Sequence, residues 1–224
     1  GDTAYDMNKR LDGDIFSKNP TVLMVTFGMN DSGYYEYNGD NAKEFGEQKY
    51  QESIKNFQQM EKRFKELPHT RIVMTGTSPY DETAQIKDNT VFKKKNETIK
   101  RIIEYQRESA ARNGWEFTDW NAPMVAINQE LQQKDPSFPL CGNDRIHPDN
   151  DGHMVMAYLF LKAQGFAGKD VANMEINANK KQAVKAEGCT ISNIKKIGKD
   201  ISFDYLAEAL PYPLDTIARG WGSK

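Results

Sequence analysis

Asp144 and His147 stand three residues apart in Asp144-Arg145-Ile146-His147-Pro148. An aspartate at that offset can fold back in a tight turn and accept a hydrogen bond from one imidazole nitrogen. The tautomer is then fixed, and the other nitrogen is free to take a proton from a nucleophile. Pro148 stiffens the exit of the turn, and Asp149 or Asp151 can start a following helix. Taken alone, an Asp-x-x-His spacing is also that of a surface turn with an incidental histidine.

A second segment with chemical potential is Gly28-Met29-Asn30-Asp31. Glycine permits a sharp turn, and the amide of Asn30 can donate a hydrogen bond to an oxyanion. Asp31 could brace the loop or meet a substrate; ordinary turn chemistry would use the same residue types. The opening Gly1-Asp2-Thr3 places a glycine N–H near a helix start, where it could be a second oxyanion donor, or the segment could simply cap the helix. Ser32 and Ser78 are the loop serines nearest these segments, and nothing in the sequence brings either to His147 as a nucleophile. They read as loop or substrate-contact residues, Ser78 within Ser78-Pro79-Tyr80-Asp81. Tyr34, Tyr35 and Tyr37 could stack on sugar rings or pack a half-exposed loop.

Other chemistries find little support. The three histidines and two cysteines show no metal-ligand spacing, so no metal and no cofactor are expected. His69 reads as an exposed loop residue and His153 as structural. Cys141 and Cys189 could pair, but two cysteines make no disulfide framework. No phosphate-cradling glycine loop occurs. Lys93-Lys94-Lys95 reads as the solvated start of a helix rather than a phosphate patch. A net charge of −2 argues against a nucleic-acid partner, and no apolar run is long enough to span a membrane. Oligomeric state is not legible.

The elements that must position these residues alternate. A helix is predicted over 3–17 and an unbroken β-prone run over 21–27, suited to a central strand. An amphipathic helix over 46–67 carries Ile54, Phe57, Met60, Phe64 and Leu67 on one face. A strand at 71–75 precedes a long helix over 88–113, closed by Gly114. A strand at 115–118 and helices over 122–133 and 151–164 follow. Strand–helix alternation implies a parallel sheet between helix layers, with ligands at the carboxyl ends of the strands. Past residue 168 the pattern changes: 190–194 and 201–203 can pair as a hairpin, and 204–210 reads as helical, stopping at Pro211.

Gly-Asp-Thr, Gly-x-Asn-Asp after a strand and Asp-x-x-His-Pro before a helix, in that order, resemble three of the four blocks of the SGNH/GDSL hydrolases. The resemblance spans roughly residues 1–165. It implies a three-layer α/β/α flavodoxin-like parallel sheet and serine ester hydrolysis through an acyl-enzyme. It also implies His147 as general base, Asp144 as its orienter, and Asn30 and Gly1 as oxyanion donors. Asp31, Tyr34, Tyr35 and Ser78 become candidate substrate contacts.

The family's nucleophilic serine belongs to a Gly-Asp-Ser block upstream of the glycine block, and that block is not in this sequence. The expectation is therefore a hydrolase domain over 1–167 lacking its first strand or strands and its nucleophile, inert alone, with a C-terminal extension over 168–224. The parent protein is expected to act on acetylated carbohydrate or a similar small ester, and to be secreted or periplasmic. Transfer of the acyl group to an acceptor other than water would use the same residues. The alternative is a non-catalytic carbohydrate-binding or structural member of the fold.

Overall fold

Thr3 caps the first helix, α1 (Ala4–Asp14): its hydroxyl accepts from the Asp6 N–H, and the Asp6 carboxylate reaches back to the Thr3 N–H. The structure is a computed structural model and describes residues 1–87 and 90–209. These fall into two compact units, the first over 1–164 and the second beginning at Gly165.

In the first unit, β1 (Val22–Phe27), β2 (Arg71–Gly76) and β3 (Glu116–Asp119) form a parallel sheet in that order. β2, not β1, is therefore flanked on both sides. β1 was expected to be central, yet Val22 and Met24 are about half exposed. Its other face is buried: Leu23, Val25 and Phe27 pack with Ile72 and Met74. Against them lie Phe57, Met60 and Phe64 from α2 (Ala42–Phe64) and Ile102 and Ala110 from α3 (Lys95–Asn113). On the opposite face Val73, Thr75 and Thr118 are also buried. α4 (Asn121–Gln132) and α5 (Asn150–Ala163) share a core of Trp120, Met124, Leu140 and Val155, and α5 packs against β3. The result is the expected α/β architecture with a parallel sheet.

α3 begins at Lys95 rather than at 88. Asp88 and Asn89 lie outside the described residues. Phe92 is drawn into an aromatic cluster, stacked on Tyr80 at 5.6 Å and meeting Tyr34 edge-on. Lys94 has φ +73, and the Glu82 carboxylate accepts from the N–H groups of Lys94 and Asn96. A carboxylate from another loop therefore sets this helix start.

The second unit contains two hairpins. β4 (Asn173–Asn177) pairs with β5 (Gln182–Glu187), and β6 (Cys189–Ile197) with β7 (Asp200–Ala207), both antiparallel. The hairpin expected around Gly198 is present and longer than predicted, whereas β4 and β5 carried no clear signal. Residues 204–207, read as helical, lie in β7: Asp204, Tyr205 and Leu206 pair with Ser192, Ile191 and Thr190. Cross-strand pairing overrides a local helix preference that is worth only tenths of a kcal/mol per residue. Leu210, Pro211 and the tail beyond lie outside the described residues. Both cysteines are free and buried, and burial pushes the Cys141 thiol pKa well above its usual value.

Candidate active site

The turn between Leu140 and α5 carries the acid–base candidates. Gly142 has φ +73, and an added Cβ would collide with the His147 carbonyl oxygen, so the turn closes on itself where a side chain would stand. Asp144 Oδ1 accepts from the N–H groups of Ile146 and His147, each at 2.9 Å. Oδ2 lies 2.6 Å from His147 Nδ1. Partial burial alone would raise the Asp144 pKa, but the bonds from the His147 ring and the two backbone N–H groups hold its carboxyl below the usual range. The His147 side chain is 80% exposed, which leaves Nε2 open to a reacting partner. The shallow cleft around it, about 260 Å³, is lined by Gly142, Asn143, Asp144, His147 and Asp149, with no serine among them.

Arg145, inside this turn, is buried at φ +69. Its Nη1 donates to the carbonyls of Asp81 and Ala84 at 3.2 and 2.8 Å, and its own carbonyl accepts from the Asp81 N–H at 3.0 Å. The loop after β2 thus staples the turn that carries Asp144 and His147. In the sequence, Arg145 was only a spacer between two candidates; its burial is a tertiary fact.

The loop after β1 is fixed by Asp31. The Asp31 carboxylate accepts from the N–H groups of Gly28 and Ala4, at 3.1 and 3.0 Å, and from the Ser53 hydroxyl at 3.0 Å. Burial pushes its pKa up, and those donors oppose the shift. Its oxygens are engaged by the protein, so it braces the loop. Asn30 Nδ2 donates to the Asp2 carbonyl at 3.3 Å, while Tyr34 Oη donates to Asn30 Oδ1. A carbonyl can only accept, so the Asp2 contact fixes which end of the amide is the donor. Gly1 lies against the same amide, where an added Cβ would collide with Nδ2. A cavity of about 330 Å³ beside Asn30 is lined by Thr3, Tyr5, Asn30, Asp31, Lys49, Glu52, Ser53 and Asn56.

The two loops approach each other through Tyr34. Its ring shares an apolar cluster with Ile146 and Tyr80, and its hydroxyl pKa is raised by burial and then by the charges of Asp144 and Asp31. Tyr35 is exposed, with its ring edge-on to Phe92. Tyr37 is buried, its hydroxyl donating to Ser32 O at 2.8 Å and hydrogen-bonded to the Thr98 hydroxyl at 2.9 Å, so it is loop packing. Ser78 is buried. Ser32 is fully buried and engaged with Met29 O and Lys95, which removes it as a nucleophile. His69 and His153 are exposed, and neither lines the cleft around His147. Among the described residues no group of acidic, histidine or cysteine side chains could hold a metal.

Lys95 departs most from its sequence reading. Expected in a solvated basic run, it is fully buried beneath the Asn30 loop. Nothing in Lys93-Lys94-Lys95 distinguishes it from its neighbours.

Residues 1–155 match the GDSL-like lipase/acylhydrolase family. No curated protein sequence is similar enough to match the chain. Among solved structures, a catalytic mutant of Axe2, an acetylxylan esterase from Geobacillus stearothermophilus, matches with TM-score 0.57 at 20% identity, over 73% of this chain and 68% of that one. Another Axe2 mutant from the same organism, described as an acetyl-xylooligosaccharide esterase, matches with TM-score 0.58 at 20% identity, over 75% and 70%. The acetyl xylan esterase AlAXEase matches with TM-score 0.53 at 20% identity, over 72% and 76%. At these identities the likeness is one of fold. The match over 1–155 settles the family: the chain belongs to the GDSL-like lipases and acylhydrolases.

Proposed function

We propose that this chain supplies the acid–base pair and oxyanion donors of a serine ester hydrolase acting on acetylated carbohydrate. The observation that carries the reading is the 2.6 Å contact between His147 Nδ1 and Asp144 Oδ2, with the far side of the ring exposed. No serine is among the described residues that line the cleft at His147, and the reading takes the nucleophile to be the serine of the family's Gly-Asp-Ser block.

In the reaction, serine Oγ attacks the ester carbonyl carbon as His147 Nε2 takes the hydroxyl proton, and Asp144 stabilises the imidazolium. The carbonyl oxygen becomes an oxyanion, which accepts from Asn30 Nδ2 and the Gly1 N–H. Collapse expels the sugar hydroxyl, which leaves with the proton from His147. Water then attacks the acyl-enzyme, gives its proton to His147, and releases acetate as the serine is reprotonated. Tyr35 is exposed and offers a ring face to a sugar, while Tyr34, bonded to Asn30, borders the same loop. The fold relatives known as acetylxylan esterases support this substrate class. A glycan esterase of this kind would work outside the cytoplasm. The intact Asp144–His147 contact argues against a decayed, binding-only member of the fold.

The test is hydrolysis of p-nitrophenyl acetate and acetylated xylo-oligosaccharides. The chain alone should show no turnover above that of free imidazole. Extended upstream to include a Gly-Asp-Ser segment, it should release acetate, and His147→Ala should abolish that release. Turnover by the chain alone overturns the external-serine part; no turnover by the extended protein overturns the reading.

A further inference from the structure

Lys95 opens α3, yet its side chain runs inward and no part of it reaches solvent. Its Nζ donates to three acceptors of the loop after β1: Met29 O at 2.7 Å, Ser32 Oγ at 2.6 Å and Gly33 O at 2.6 Å. These lie on both sides of Asn30. The ammonium also sits 3.9 Å from the centre of the Tyr34 ring, and Tyr34 Oη in turn donates to Asn30 Oδ1. An ammonium has three N–H groups and meets three acceptors here, so every donor is used.

We infer that Lys95 is a positioning residue for Asn30, a three-point anchor that holds the loop and the Tyr34 ring so that the Asn30 amide keeps its donor orientation. The inference rests on the proposed oxyanion role of Asn30 only for its catalytic meaning; the anchor itself is independent of it. A neutral amine has two N–H groups and a lone pair. On losing its proton, Lys95 leaves one acceptor without a donor, and Ser32 Oγ, which donates to Met29 O at 2.9 Å, can turn to Nζ instead.

The charged groups facing Lys95 are Asp31 from the loop it anchors and Glu82 from the loop after β2, with the Tyr34 and Tyr80 rings beside it. Burial pulls its pKa down to about 7, and Asp31 and Glu82 only partly offset this. An unfolded lysine keeps its proton to about 10.5. Between those values the unfolded chain binds more protons, so this group makes global stability rise with pH while the loop anchor weakens. A residue that only contributed packing would not move the two in opposite directions.

NMR of the full chain tests this. The Asn30 side-chain amide should shift with an inflection near 7 in the wild type, keep it in His147→Gln, and lose it in Lys95→Met. Backbone amides of 28–34 should exchange roughly tenfold or more faster in Lys95→Met at about pH 6. If Lys95→Met does not fold, Ser32→Ala removes one acceptor and should loosen the same amides. Unaltered loop exchange in the folded Lys95→Met variant overturns the anchor. A working anchor together with undiminished ester hydrolysis by Asn30→Ala in the serine-containing protein would instead overturn the oxyanion reading and leave the anchor standing.

Discussion

Asp144 holds His147 by two routes at once: Oδ2 meets the ring at Nδ1, 2.6 Å away, and Oδ1 takes the His147 N–H at 2.9 Å. The same carboxylate therefore sets both the turn and the tautomer. Its pKa lies below the unfolded value because these bonds outweigh partial burial. Asp144 thus contributes stability that is present above the unfolded carboxyl pKa and is lost as pH falls through the folded one. In His147→Ala the Asp144 carboxyl should titrate closer to an ordinary aspartate, read by carbon-13 NMR. An unmoved titration would mean that the ring contact is not what lowers it.

In the serine-containing esterase, His147→Ala should reduce kcat/KM about a thousandfold or more, and Asp144→Asn should approach that loss with substrate affinity little changed. Steady-state kinetics on an acetylated oligosaccharide check this. A tenfold effect or less would remove the pair from the chemistry.

Asn30 and Asp31 are adjacent and should separate cleanly. Asn30→Ala should lower kcat about a hundredfold with a small change in Tm. Asp31→Ala leaves the N–H groups of Ala4 and Gly28 and the Ser53 hydroxyl without their acceptor, and should cost about 2–3 kcal/mol in denaturant unfolding.

Gly142 is predicted to be intolerant of any side chain. Gly142→Ala meets both a positive φ and the His147 carbonyl, and should destabilise by about 1–3 kcal/mol while disturbing the imidazole resonances. Unchanged stability and an unchanged His147 spectrum would show that the turn yields cheaply.

Thr26, Thr75 and Thr118 lie side by side across the three strands, and all three hydroxyls are buried without a partner among the described residues. Thr75 is in the middle. Thr75→Val keeps the β-branched shape and removes an unmatched hydroxyl, so it should raise stability by about 1 kcal/mol in chemical unfolding. A loss of stability would mean that the hydroxyl is satisfied.

The sequence by itself determined the alternation of strands and helices, the buried faces of α2 and α3, and the pairing of Asp144 with His147. These depend on local periodicity or on a three-residue offset, which the chain carries in its own order. Asn30 and Gly1 were legible as candidates, and their contact became visible only when the loop after β1 met the start of α1. The tertiary structure alone decided the rest. Lys95 and Arg145 look like solvated charges because burial is set by what folds over a side chain, here the loops after β1 and β2. The bracing role of Asp31 became visible only when Ala4 and Ser53 arrived as its donors. The strand at 204–207 reads as helix until residues 190–192 pair with it. Local sequence fixes propensity and spacing; the partners that satisfy a buried charge or a strand edge come from distant positions, and their identity is settled only by packing.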